Sequence, residues 1–142
     1  MKIKRKGSAV WQGGIKDGGG AVSTQSGVLN DTRYGFTTRF GDEPGTNPEE
    51  LIAAAHAGCF TMALSKILGD NGLTADRMET RAEVTLEKVG EGFEITAIEL
   101  SLQGSVPGAS AEQFAELAGI AKANCPVSKL FRAPISLDVT LS

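Results

Sequence analysis

The chain has 142 residues, 41% hydrophobic and 22% charged, the size and balance of one globular domain, and a single domain over residues 1–142 is expected. Its net charge of −3 excludes the basic footprint that nucleic acid or an anionic membrane would require. A chain of this length buries roughly 68–70% of its unfolded surface and folds without metals or permanent cross-links, so neither cysteine is required as a staple.

The start is basic at Lys2, Lys4, Arg5 and Lys6, but Gly7, Ser8 and the Gly13-Gly14 pair follow where an export signal needs an apolar stretch. A cytoplasmic, reducing compartment is therefore expected, in which any bridge between Cys59 and Cys125 is transient and catalytic. Strands are expected at Ile3–Trp11, Ala21–Gln25 and Tyr34–Phe40, forming a meander across glycine-rich turns. Residues 13–20 lack the Gly-Lys-Ser/Thr ending of a phosphate-binding loop and suit a hairpin loop.

A dense helix start follows. Asn47 is placed to cap, Pro48 suits the first helical position, and Glu50 completes an Asn-x-x-Glu capping box. The helix should run from Pro48 to about Leu68, ended by Gly69 and Asn71-Gly72. Its stretch from Leu51 to Leu64 is apolar except for His56 and Thr61, too short a run to span a bilayer, and predicts burial on nearly all sides.

Ala82, Val84 and Leu86 mark one strand face, and Phe93 and Ile95 another, joined by the turn at residues 89–92. The apolar phase changes between Ile95 and Ile98, which predicts a bulge near Ala97. Ser110 with Gln113 is a second capping box. Phe114, Leu117, Ala118 and Ala121 carry the helical period to about Asn124. Cys125-Pro126 opens a short helical turn through Phe131, and Ile135, Leu137, Val139 and Leu141 alternate as a last strand. The class is α+β, antiparallel sheet with two main helices.

Cys59 lies inside the apolar helix, where an unpaired cysteine is often a small packing residue. A nucleophilic role needs the thiolate, which apolar surroundings disfavour, so a cation would have to reach it. Arg39, after Thr37-Thr38 and just before the helix, is the candidate, with a surface strand arginine as the alternative. Glu49 would hold Arg39 in a bidentate pair, or is simply a first-turn acid like Glu50. Ten residues of continuous helix separate Glu49 from Cys59 by about 15 Å, so either the helix breaks or the site is shared between two chains.

Cys125, at the cap of a turn with free backbone N–H groups, suits a thiol that condenses with a Cys59 sulfenic acid; the alternative is two unrelated buried cysteines. There is no Cys-x-x-Cys and too few ligands for a structural zinc site. His56, three residues before Cys59, opens a Cys–His hydrolase reading, but a core or hydrogen-bonded histidine fits better.

The run Gly45-Thr46-Asn47-Pro48-Glu49-Glu50-Leu51-Ile52-Ala53-Ala54-Ala55-His56-Ala57-Gly58-Cys59-Phe60, followed by Ala123-Asn124-Cys125-Pro126-Val127-Ser128, resembles the signature of the OsmC/Ohr family. The likeness extends over the whole chain, including Gly27-Val28-Leu29-Asn30 and Tyr34-Gly35-Phe36, and the Ala-His before Cys59 is similar to the osmotically inducible branch. The resemblance implies an OsmC-like fold and an intertwined homodimer with two interface sites. It implies an enzyme that reduces organic hydroperoxides, and hydrogen peroxide more weakly, in oxidative and osmotic stress. It assigns Cys59 as peroxidatic thiol, Cys125 as resolving thiol, and Arg39 with Glu49 as the activating pair. It implies no metal, haem or flavin, and a dithiol reductant, with lipoylated proteins suggested. The competing reading from another class is a stress-induced protein that binds a small apolar ligand without turnover.

Overall fold

The computed structural model describes residues 1–142 and divides into two compact units, residues Met1–Leu51 and Ile52–Ser142. The class is α+β. In the first unit three antiparallel strands, β1 (Gly7–Gln12), β2 (Gly19–Thr24) and β3 (Thr32–Tyr34), pair in the order 1-2-3, the expected meander. Gly20 is required where Trp11 and Tyr34 meet edge to face, because a Cβ there would fall 2.6 Å from the Tyr34 ring.

The expected strand Tyr34–Phe40 is not formed. β3 stops at Tyr34, and Phe36–Phe40 is a short helix, α1. Thr38 is the reason: its buried hydroxyl accepts from the Gly35 N–H at 2.7 Å and donates to the Gly35 carbonyl at 3.0 Å, a local bond pair that closes a turn. Arg39 therefore stands in the last turn of a helix, not at a strand end.

Helix α2 (Pro48–Asp70) begins where the capping signals place it. Asn47 Oδ1 accepts from the Glu50 N–H at 2.8 Å, and Asn47 Nδ2 donates to the Glu50 carboxylate at 2.8 Å. The helix is unbroken for 23 residues, long and apolar enough by length and composition to cross a membrane, a test that the core helix of a soluble protein also passes. Burial on nearly all sides is not found. Only His56, Phe60, Leu64 and Leu68, one stripe at every fourth position, are buried; Ala54, Ala55, Gly58 and Met62 are exposed.

In the second unit β4 (Arg77–Val89) and β5 (Gly92–Ser105) form a long antiparallel hairpin turned at Gly90, whose φ of 63° suits the first position of a tight turn. The register shifts between Thr85 and Leu86, which face Ala97 and Ile95, so Thr96 is the extra residue of the expected bulge. After helix α3 (Ala111–Asn124) and the turn α4 (Pro126–Leu130), strand β6 (Ile135–Leu141) joins β5 in parallel. The expected antiparallel pairing holds for β4 with β5, and β6 departs from it. The helices between β5 and β6 form the long crossover that parallel pairing demands. The core joins Phe60, Leu64 and Leu68 of α2, Ile98, Leu100 and Leu102 of β5, and Phe114, Leu117, Ala118 and Ala121 of α3, with Cys125 at its end.

Candidate active site

The chemistry of the second unit gathers where α3 gives way to α4. Cys125 is the hinge residue. Its N–H closes α3 on the Ala121 carbonyl at 2.9 Å, its own carbonyl receives the Lys129 N–H at 3.2 Å, and its extended backbone starts the next turn. Pro126 has no N–H to lose at that first position. The Cys125 sulfur then acts as the cap, accepting the Ser128 N–H at 3.4 Å. This use of sulfur where serine or aspartate usually stands fixes the thiol inside the core, with no exposure.

Cys59, half-buried on α2, packs against the same core, and Cys125 is among the groups close enough to act on its thiol. Two cysteines 66 positions apart in sequence are thus brought together, and both are free thiols. Burial pushes the Cys59 thiol above its ordinary range; the Val127 backbone N–H pulls it down, and the hydrogen bond and charge of Cys125 push it further up. All of these influences arise within the unit. A Cys59 thiolate at neutral pH therefore needs positive charge brought to it.

His56, one turn before Cys59, is fully buried and turns away from the hydrolase arrangement: its Nε2 is 2.8 Å from Ser128 Oγ. Ser128 Oγ is in turn 3.1 Å from Cys125 Sγ, so histidine, serine and the second cysteine form one chain. Phe131 meets the imidazole edge to face at 5.5 Å. Burial holds His56 below its ordinary value, so it is neutral at neutral pH. The expectation of a hydrogen-bonded core histidine holds. Ser128 was missed as a participant; its signal was the Cys-x-x-Ser spacing across a proline-initiated turn, which puts the serine N–H and hydroxyl over the cysteine sulfur.

In the first unit Arg39 and Glu49 form the bidentate pair anticipated for them. Arg39 Nε and Nη2 donate to the two carboxylate oxygens at 2.9 and 2.8 Å. The hydrogen bond to Glu49 raises the Arg39 pKa, burial opposes it, and the Glu49 charge adds to the rise, so the guanidinium stays charged. The Phe40 ring lies 5.5 Å from the guanidinium carbon. Glu49 is held at the start of α2 by the Asn47 cap, and Asn47 Nδ2 also reaches the Thr38 carbonyl at 3.2 Å, tying α1 to the helix start. Ten residues of unbroken helix set Glu49 and Cys59 of one chain about 15 Å apart along the axis. No group of three or more His, Cys, Asp or Glu side chains that could hold a metal ion is found.

A family description of OsmC-like proteins matches residues 41–140. The peroxiredoxin OsmC of Escherichia coli K12 is 55% identical over 141 residues, 99% of each chain. The crystal structure of the organic hydroperoxide resistance protein OhrB of Bacillus subtilis superposes with a TM-score of 0.67 at 27% identity, covering 96% of this chain and 98% of that one. An OsmC-like protein of unknown function from Vibrio cholerae reaches 0.77 at 16% identity over 97% and 99%, a likeness of fold alone. With a match across most of the chain and more than half its residues shared with a curated relative, this protein belongs to the OsmC family.

Proposed function

We propose that this chain is a cysteine-based peroxidase that reduces organic hydroperoxides to alcohols in oxidative and osmotic stress defence. The observation that carries the reading is the meeting of two free thiols from distant parts of the sequence, one half-buried and reachable, the other held in the core behind it. The relatives, a peroxiredoxin and an organic hydroperoxide resistance protein, point the same way. In the first step the Cys59 thiolate attacks the distal peroxide oxygen; the O–O bond breaks, the alkoxide leaves and takes a proton as the alcohol, and Cys59 becomes a sulfenic acid. Cys125 then displaces water and forms the disulfide. A dithiol reductant, with lipoylated proteins as the suggested class, returns both thiols by exchange.

The cation that Cys59 needs is assigned to the Arg39–Glu49 pair of a second copy. α2 does not break, so one chain's Glu49 is far along the helix from its own Cys59, and the exposed Ala54, Ala55, Gly58 and Met62 leave a small-residue apolar face for that copy to cover. The active form in this reading is a cytoplasmic homodimer of single-domain subunits, with no metal or organic cofactor.

Intact mass after one equivalent of cumene hydroperoxide tests the core of the proposal. A disulfide within each chain removes two hydrogens, and Cys59→Ser abolishes both this loss and peroxide turnover. A Cys59→Ser protein that consumes hydroperoxide at the normal rate overturns the reading, and ester cleavage lost in His56→Ala would favour a hydrolase.

A further inference from the structure

The peroxidase reading uses two sulfurs and an arginine–glutamate pair, and leaves a buried histidine and serine without a task. His56 is fully buried, and its only polar partner is Ser128; its Nδ1 is buried with no partner. Buried polar atoms are nearly always paired, and an unpaired one calls for an explanation. The tautomer of a neutral histidine is set by the hydrogen bonds its ring nitrogens make, and at His56 the only such partner is a hydroxyl that can donate or accept. Here nothing fixes it, and Nε2 is free to act as acceptor or donor toward the Ser128 hydroxyl.

The hydroxyl is equally two-sided. Ser128 Oγ stands 2.8 Å from His56 Nε2 and 3.1 Å from Cys125 Sγ, while the Ser128 N–H points at the same sulfur from 3.4 Å. The sulfur, hydroxyl and imidazole are therefore linked in one buried line, screened from solvent by Phe131 and the core. Cys125 itself has no exposure, so its proton has no direct exit to water.

We propose that Ser128 and His56 form the proton relay of the resolving step: as Cys125 attacks the oxidised Cys59 sulfur, its thiol proton passes to Ser128 Oγ and the serine proton passes to His56 Nε2. This inference rests on the peroxidase reading and extends it to the second half-reaction. A lone pair of Cys125 Sγ becomes the S–S bond and the S–O bonding pair of the sulfenic acid leaves with hydroxide, which takes a proton from solvent on the half-buried Cys59 side to become water, while the proton released from Cys125 is held on His56. The Cys59 sulfur is reduced and the Cys125 sulfur oxidised, with no further reagent. When a dithiol donor later opens the disulfide, the same line runs backward and reprotonates Cys125. Ser128 touches the reacting sulfur; His56 acts through it and is a positioning residue.

Rapid quench followed by intact mass separates the two half-reactions, since the sulfenic acid, trapped with a cyclic dione, and the disulfide differ in mass. Positioned acid–base groups contribute about 100-fold or more, so Ser128→Ala and His56→Gln are expected to slow disulfide formation by about that factor while sulfenic acid forms at close to the normal rate. Glutamine keeps a polar partner for Ser128 but takes no proton, which separates the relay from packing. Ser128→Thr, which keeps the hydroxyl, restores the rate, an outcome that a purely structural role for the serine does not predict. Should His56→Gln fail to fold, the alanine and threonine variants of Ser128 decide alone. Disulfide formation within twofold of normal in Ser128→Ala, or equal slowing of both steps, overturns the relay. Absence of any disulfide in the unaltered protein overturns the peroxidase reading and the relay with it.

Discussion

A heterodimer in which one chain carries Arg39→Ala and the other Cys59→Ser should recover about half the turnover of the normal protein, because a two-fold dimer has two equivalent sites and only one remains whole. The geometry behind the number is the continuity of α2. Glu49 and Cys59 lie ten residues apart on one unbroken helix, about 15 Å along its axis, and Arg39 is bound to Glu49 by two hydrogen bonds. A shared site takes Arg39 and Glu49 from the Cys59→Ser chain and the thiol from the Arg39→Ala chain. The size of the single-variant loss follows from the charge: a nearby opposite charge shifts an acid by about 1–3 pKa units, so the Arg39→Ala homodimer should lose about 10- to 1,000-fold in thiolate and in rate. The Cys59→Ser homodimer should show no turnover. Co-expression with two different affinity tags and tandem purification gives the mixed dimer free of either parent, and initial rates with cumene hydroperoxide and a dithiol give the readout. A pure heterodimer no more active than the Arg39→Ala parent would place each site within one chain and refute the argument from helix length.

Gly104→Ala is expected to cost about 1–3 kcal/mol in urea unfolding, because the new methyl would sit 2.6 Å from Phe114 Cζ and 3.4 Å from Met78 Cγ, and Phe114 is fully buried with no room to retreat. An unchanged midpoint would mean that β5 and α3 separate more easily than their packing implies. Ser110→Ala should remove about 1 kcal/mol by leaving the Gln113 N–H at the start of α3 without its 3.1 Å acceptor, again read from the unfolding midpoint. Stability should also depend on pH through His56. Burial holds the folded imidazole below its ordinary value of about 6.5, so the unfolded chain binds a proton first as the pH falls. This contribution is fully present above about pH 6.5 and declines as the pH drops toward the lower folded value. Glu43, lowered by Thr37 and then by Arg33, adds its own loss only in the carboxylate range further down. Denaturation between pH 6.5 and 5 should therefore be flatter in His56→Gln, and equal slopes would assign the acid sensitivity elsewhere.

The parts of the fold that could be read from sequence are those decided by neighbours along the chain. Asn47, Pro48 and Glu50 satisfy the first turn of α2 among themselves, so its start needs no distant contact. The phase change around Ile95 and Ile98 likewise records the bulge locally. What failed depends on choices the local pattern does not hold. The residues Tyr34–Phe40 carry a strand's composition, yet the reciprocal bonds of Thr38 with Gly35 turn Phe36–Phe40 into a helix. The direction of β6 is set by the long helical crossover, since alternation alone is the same for parallel and antiparallel strands. Among the candidate residues, the cysteines stood out as a rare type, two in the chain, and Arg39 with Glu49 by their place around the helix start, whereas Ser128 was hidden by being an ordinary residue.

The misjudged burial of α2 carries the most consequence. Apolar residues around the whole circumference predict burial on nearly all sides, but the chain fully buries only the stripe through His56, Phe60, Leu64 and Leu68. The remaining apolar face and the uncompensated Cys59 thiol are on the same helix, and they ask for the same thing from outside it. A neighbour that covered Ala54, Ala55, Gly58 and Met62 would remove apolar surface from water, and it would also exclude water from around Cys59, making that thiol harder to ionise. Cover without charge would therefore stabilise the helix and silence the nucleophile. A second copy, as proposed above, would bring both together, because its Arg39 is already locked as a cation by Glu49 and would arrive with its hydrogen bonds in place. The ion pair made inside each chain is in this view the preparation for a site completed between two.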